Sequence, residues 1–169
     1  YYAAPTMHQL ILQTGREPAD EQDNNSPTIE QATKPKLRMI ANAAGGLLPS
    51  LVVQLCETFS YNVLPSYGMT ECMPISSPPS DYQLTKPGTS GVPVGPEVAI
   101  LNLATLESLP PGVEGPICVR GEQCFRSYGK IANDPPATVE TFLENGFFSN
   151  GDLGYLDEDG YLFITGRSK

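Results

Sequence analysis

The sequence predicts an α/β fold in which a βαβ-type sheet portion is followed by a small β-rich subdomain in the manner of a distorted barrel. Three observations carry this. Between residues 37 and 64 an apolar strand pattern, a run of small residues, an amphipathic helix pattern and a second strand pattern succeed one another, which is the order of a βαβ unit. After Glu71, six prolines from Pro74 to Pro96 cut the chain into short pieces, favouring turns and short strands over long helices. Near the end, two apolar runs flank Asp157-Glu158-Asp159-Gly160, the pattern of a hairpin.

Taken in order, residues 7–14 form a helix pattern, with Met7, Leu10, Ile11 and Leu12 on its apolar side. Residues 15–36 are polar, acidic and without periodicity. They read as an exposed loop, with room for a short helix over 28–33. Leu37-Arg38-Met39-Ile40 reads as a buried strand, and small residues follow to Gly46. Pro49 suits the first turn of a helix, and Leu51, Val52, Leu55 and Phe59 give that helix one apolar stripe. Val63-Leu64 resumes a strand. In such a unit the loops at the carboxyl ends of the strands carry ligand chemistry.

Strands are expected at Val98-Ala99-Ile100-Leu101 and Pro116-Ile117-Cys118-Val119-Arg120, with turns at Pro110-Pro111-Gly112 and Glu114-Gly115. A short helix is expected over 137–143. In the final hairpin, Gly160 supplies the left-handed position the turn requires. This divides the chain into a sheet subdomain (1–75), a β-rich subdomain (76–165) and the start of a hinge (166–169).

Composition narrows the function. The chain has 169 residues, 40% hydrophobic and 17% charged, enough for one ordinary domain with a real core. A net charge of −9 argues against nucleic acid, whose binding depends on Lys and Arg at the phosphates. A nucleotide with its own Mg²⁺ is still admissible. Cys56, Cys72, Cys118 and Cys124 form no CxxC pair and His8 is the only histidine, so a zinc site is disfavoured. Reduced thiols fit a cytoplasmic location. No apolar run approaches the length of a membrane span. The chain opens on Tyr1 without Met and ends on Lys169 just past a strand pattern; the expectation is a piece of a longer chain.

Three clusters can carry chemistry. Ala43-Ala44-Gly45-Gly46-Leu47 brings small residues between strand and helix, so backbone can approach a flat ligand closely. A tight strand–helix turn explains the same residues. Tyr67-Gly68-Met69-Thr70-Glu71 sets an aromatic ring, a hydroxyl and a carboxylate side by side. The ring can stack on a purine, the hydroxyl can donate to a phosphate, and the carboxylate can hold Mg²⁺, which prefers oxygen ligands. An exposed turn is the bland alternative. Asp152 in Gly151-Asp152-Leu153-Gly154 can accept from two vicinal hydroxyls, and Arg167 at the end of the next strand can reach the same sugar. A self-capping turn aspartate and a solvated strand-end charge explain these two equally simply.

Asp157, Glu158 and Asp159 look like a metal cluster, yet turn chemistry at a hairpin tip accounts for them. Gly88-Thr89-Ser90-Gly91 lacks the Lys-Ser/Thr ending of a phosphate loop and reads as a turn. His8 reads as part of its helix. There is no GxSxG motif, so a serine hydrolase has no support.

Together these clusters resemble the adenylate-forming enzymes. Ala43 to Leu47 is similar to the family's small-residue adenine segment, and Tyr67 to Glu71 matches YGxTE. Gly151 to Gly154, continued to Gly166-Arg167-Ser168-Lys169, is similar to TGDxG…DGY…GRxK. Asn133-Asp134-Pro135 with Ala137-Thr138 looks like the family's NNPEAT. The text after Glu71 looks closest to acyl-CoA synthetases, including oxalate–CoA ligase-like ones.

The resemblance implies a partial domain of an acyl-CoA synthetase-like fold and an AMP-forming acid–thiol ligase. A carboxylic acid attacks the α-phosphate of Mg·ATP, and coenzyme A or a carrier-protein pantetheine then takes the acyl group. It implies that Tyr67 stacks on adenine, Ala44 and Gly45 line it, and Thr70 holds phosphate. It further implies that Glu71 binds Mg²⁺, Asp152 and Arg167 hold ribose, and Lys169 sits at the hinge of a small C-terminal domain. Asn42, Ala43, Met69, Met73 and Ile75 would flank the acyl pocket. Asn150 and Gly46 depart from the family's usual Thr or Ser and Pro. The family's Ser/Thr/Gly-rich phosphate loop and its C-terminal catalytic lysine are not in this sequence, so the 169 residues alone are expected to be inactive. Two rival readings remain: a peptide-synthetase-like adenylation domain, which a downstream carrier protein would mark, and a non-catalytic nucleotide-binding module. A peroxisomal location is compatible with the resemblance.

Overall fold

The computed structural model describes residues 1–14, 38–42, 46–59, 62–126 and 142–168. The expected loop over 15–36, the small residues Ala43, Ala44 and Gly45, and Lys169 lie outside the described residues.

Strands β1 (Tyr2–Ala3), β2 (Ile40–Asn42) and β3 (Val63–Pro65) form a parallel sheet in the order β1-β2-β3. Helix α1 (Pro5–Thr14) follows β1, and helix α2 (Pro49–Phe59) joins β2 to β3. The strand alternation sorts this sheet into two faces. Ile40 and Val63 share a core with Leu12 of α1 and with Leu51 and Leu55 of α2, so both helices cover one face. Ala41 and Leu64 form a separate cluster with Tyr82. All three residues of β2 are buried, as befits a central parallel strand. His8 of α1 is also fully buried, with the Tyr1 hydroxyl 3.0 Å from Nδ1, and burial pulls its pKa below the ordinary value.

Pro49 opens α2 as expected. The strand expected over 37–40 is displaced: Arg38 and Met39 are not in a strand, and β2 begins at Ile40. The cause is pairing. Ile40 is where both neighbours supply partners, its amide reaching Asn62 O and Ala41's reaching Tyr1 O.

The β-rich part contains two antiparallel sheets. One is β4 (Tyr67–Met69), β5 (Cys72–Ser77) and β6 (Val92–Pro93). The other has the order β10-β9-β8-β7, built from β7 (Glu97–Ile100), β8 (Gly115–Arg120), β9 (Phe148–Leu156) and β10 (Leu162–Arg167). Cys72 and Ile75 of the first sheet pack with Val98, Ile117, Val119, Phe148 and Leu162 of the second in one core. The expected division at 75/76 falls inside β5. β5 carries Pro74, which breaks a regular strand; it is accommodated because the β4–β5 register shifts between the pairs Tyr67↔Ser76 and Met69↔Cys72. The helix expected over 137–143 reaches the described residues only at Phe142 and Leu143, which are not helical. Phe142 bridges Phe148, and the Leu143 amide donates to Phe147 O. Three phenylalanines, Phe125, Phe142 and Phe148, gather there with ring centroids 4.9–5.3 Å apart.

The tip of the β9–β10 hairpin is explained by turn chemistry. Asp157 Oδ1 accepts from the Asp159 and Tyr161 amides, and Gly160 has φ +79. Lys86 Nζ donates to Asp157 Oδ2 and, at 2.7 Å, to Asp159, while lying 4.9 Å from the Tyr161 ring centroid. Partial burial works against ionisation of Asp157, but Lys86 and the two amides outweigh it and hold the carboxyl below its usual range. That contribution is therefore present at neutral pH and is lost as pH falls through the depressed value. Asp157→Ala is expected to speed hydrogen exchange at the Asp159 and Tyr161 amides with little change in global stability, since the ion pairs lie at the surface. Unaltered exchange would mean that the backbone bonds, Gly160 amide to Asp157 O and Asp157 amide to Tyr161 O, hold the tip without the carboxylate.

Candidate functional site

A cavity of about 860 Å³ opens between the parallel sheet and the antiparallel sheets, within the range of small-molecule sites. Its walls come from the end of β2 and start of α2 (Asn42, Leu47, Val52), from β4 (Tyr67, Met69), from the segment 82–90, and from Asp152 and Arg167. These lie beyond the carboxyl ends of β2 and β3, where an open α/β sheet places ligands.

Two irregularities in the ladders aim the charged groups. Between β8 and β9, Pro116 pairs Leu153 but Cys118 pairs Ser149. β9 thus spends extra residues around Asp152 in a bulge, and Gly151 takes φ +79 there. Between β9 and β10, Ile164 pairs Gly154 while Gly166 pairs Leu153, so Thr165 is an extra residue. Were Thr165 paired with Leu153 in a regular ladder, Gly166 would face Asp152; with Thr165 bulged out, Arg167 does. Gly154 permits the close passage of β10, because a Cβ there would lie 2.2 Å from the Phe163 carbonyl oxygen.

The result is a three-membered cluster. Tyr67 Oη donates to Asp152 Oδ2, and Arg167 Nε donates to Asp152 Oδ1 at 2.7 Å. Asp152 is 5% exposed, whereas the Arg167 side chain is 71% exposed. The hydrogen bond to Asp152, then its charge, raises the Arg167 pKa further above its ordinary value. A carboxylate is an acceptor with about four lone-pair sites, and one on a cavity wall suits the vicinal hydroxyls of a ligand.

The remaining candidates separate. Asn42 is buried at the end of β2, and its carbonyl accepts from Ser66 Oγ. Met69 lines the cavity. Thr70 and Glu71 form the two-residue turn between β4 and β5, Thr70 exposed and Glu71 half-buried; both follow directly on the lining stretch Tyr67-Gly68-Met69 without belonging to it. The Glu71 carbonyl accepts from the Phe125 amide at 2.7 Å. Met73 is 63% exposed and Ile75 is fully buried in the core of the antiparallel sheets; neither lines the cavity. Among the described residues no group of three or more His, Cys, Asp or Glu could hold a metal ion. Mg²⁺ needs no such group, since it typically takes one or two carboxylates and leaves its other positions to phosphate oxygens and water.

Sequence reasoning missed the wall formed by 82–90. Gly88-Thr89-Ser90-Gly91 is a turn, as read, but one docked on β10: the Thr89 hydroxyl and Ser90 amide both donate to Leu162 O at 2.8 Å. Nothing local in the sequence signals that contact across more than 70 positions.

Residues 1–129 match the family model described as AMP-binding enzyme, and the chain belongs to that family. It is 40% identical over its whole length to a probable CoA ligase of Humulus lupulus, and 39% identical to an oxalate–CoA ligase of Arabidopsis thaliana; it spans about 30% of the length of each. Among solved structures, the O-succinylbenzoate coenzyme A synthetase of Bacillus subtilis in complex with ATP and magnesium ion superposes with a TM-score of 0.72 at 27% identity, over 98% of this chain and 31% of that one. The expected fold class, an α/β sheet portion with a β-rich part of an adenylate-forming enzyme domain, is the one observed.

Proposed function

We propose that this chain carries the adenosine and α-phosphate side of an ATP-dependent carboxylate–CoA ligase. One observation carries the reading: a buried carboxylate, Asp152, is held by Tyr67 and Arg167 on the wall of a nucleotide-sized cavity. Family membership and CoA-ligase relatives support it.

In this reading the Tyr67 ring packs on adenine while its hydroxyl steadies Asp152. Asp152 accepts from the ribose hydroxyls, and Arg167 keeps it ionised and oriented. Ala44 and Gly45 complete the adenine wall. The Thr70 hydroxyl donates to the α-phosphate, and Glu71 holds Mg²⁺, which offsets phosphate charge when the carboxylate substrate attacks. Asn42, Ala43 and Met69 border the acid. The attack yields an acyl-adenylate and pyrophosphate, and the thiol of CoA then displaces AMP. Lys169 belongs to the hinge between these half-reactions.

The test is carboxylate-dependent ATP–pyrophosphate exchange by the protein expressed from its complete reading frame, across a panel of acids that includes oxalate. One acid or a small group is expected to support exchange, and CoA to discharge the adenylate. Glu71→Ala is expected to slow exchange roughly 10–100-fold and to raise the Mg²⁺ concentration needed for half-maximal rate. AMP binding without exchange on any acid would replace this reading with a non-catalytic nucleotide module. Discharge only onto a carrier protein would replace CoA as acceptor.

A further inference from the structure

Cys72 and Cys124 face each other as an isolated antiparallel bridge. The flanking residues are joined, the Phe125 amide donating to the Glu71 carbonyl. In an antiparallel ladder that places the cysteines as a non-hydrogen-bonded pair, the closer of the two kinds. Its Cα atoms are about 4.5 Å apart, inside the roughly 4.4–6.8 Å that disulfides span. Both residues are free thiols. Cys124 is half-buried and Cys72 fully buried behind it.

We propose that Cys72 and Cys124 form an oxidisable dithiol whose disulfide staples the Thr70-Glu71 turn to the segment 121–125. The oxidant class is a small soluble disulfide such as oxidised glutathione. The Cys124 thiolate attacks one glutathione sulfur and expels the other as a thiolate, which takes up the proton Cys124 has lost. The Cys72 sulfur then attacks Cys124 Sγ in the mixed disulfide, and its proton leaves with the second glutathione. Two protein thiols are oxidised and one glutathione disulfide is reduced to two thiols. Burial, and then contact with the Cys124 thiol, pushes the Cys72 thiol up to about 12, so the second step is the slow one. Cys118 provides an internal comparison: it is fully buried in the cluster of Leu101 and Phe147, and no cysteine faces it among the described bridges.

The experiment incubates the complete protein with oxidised glutathione, blocks residual thiols and maps non-reduced peptides by mass spectrometry. The expected result is a Cys72–Cys124 linked pair that accumulates slowly and is released by dithiothreitol. Cys72→Ser is expected to stop the reaction at a glutathione adduct on Cys124. A lasting adduct on Cys124 in the unsubstituted protein, a link through Cys56 or Cys118, or no reaction at all would each overturn the proposal. The readout is covalent mass, so it stands or falls independently of ligase activity.

Discussion

Asp152→Ala in the complete protein is expected to lower kcat/KM for ATP in the exchange reaction by roughly a hundredfold or more, about 2.7 kcal/mol of lost transition-state stabilisation. The magnitude follows from what one carboxylate does. It accepts from Tyr67 and Arg167 and, in the proposed reading, from ribose. Hydrogen bonds to a charged group are worth roughly 1.5–3 kcal/mol each, and removal also leaves the Tyr67 hydroxyl without that acceptor. Asp152→Asn separates charge from shape. It keeps the volume of a buried side chain, so a comparable fall in rate with unchanged thermal stability assigns the effect to the carboxylate. Arg167→Ala should cost less, because its side chain is largely solvated and its pairing is screened. Exchange that survives Asp152→Asn undiminished would remove the ribose role and leave Asp152 as a structural anchor for Tyr67.

The sequence carried the composition of this site better than its geometry. Tyr67, Asp152 and Arg167 were legible because the chemistry needs an aromatic ring, a carboxylate and a guanidinium near glycines that allow close backbone approach. Their convergence was not. It depends on an extra residue in β10, Thr165, and on the bulge around Gly151, and neither leaves a mark in local periodicity. Helix α2 followed its pattern, since Pro49 and the Leu51/Leu55 stripe are local signals, whereas α1 buries Leu12 and His8 and leaves Met7 and Leu10 half exposed. The strand at β2 slid because its limits are set by partners in β1 and β3. β5 was hidden by Pro74, a breaker that a register shift absorbs. Ile75 stands near Glu71 in the sequence, but the irregular β4–β5 register lets it pack into the same core as Cys72.

The largest structural effect is expected at the seam that holds the 82–90 wall against the hairpin. Gly91→Ala is expected to destabilise the protein by about 3–5 kcal/mol, at the severe end for a single substitution. Two costs combine. Gly91 has φ +94, where an L side chain is strained by roughly 1–2 kcal/mol. A Cβ there would also lie 2.0 Å from the Ser77 carbonyl carbon and 2.1 Å from the Pro78 nitrogen, and backbone cannot rotate aside as a side chain can. Relief would pull β5 from β6 at the Ser77↔Val92 pair or break the bond from the Leu162 amide to Gly91 O. Gly88→Ala isolates the first cost: Gly88 has φ +85 but a Cβ there meets nothing within 4 Å. Denaturant midpoints and soluble yield of the two variants should therefore differ, with Gly88→Ala losing only the roughly 1–2 kcal/mol of backbone strain. Equal, mild losses at both positions would show that β5 can shift to admit a methyl group. The seam would then be a compliant joint rather than the fixed edge on which the cavity wall rests.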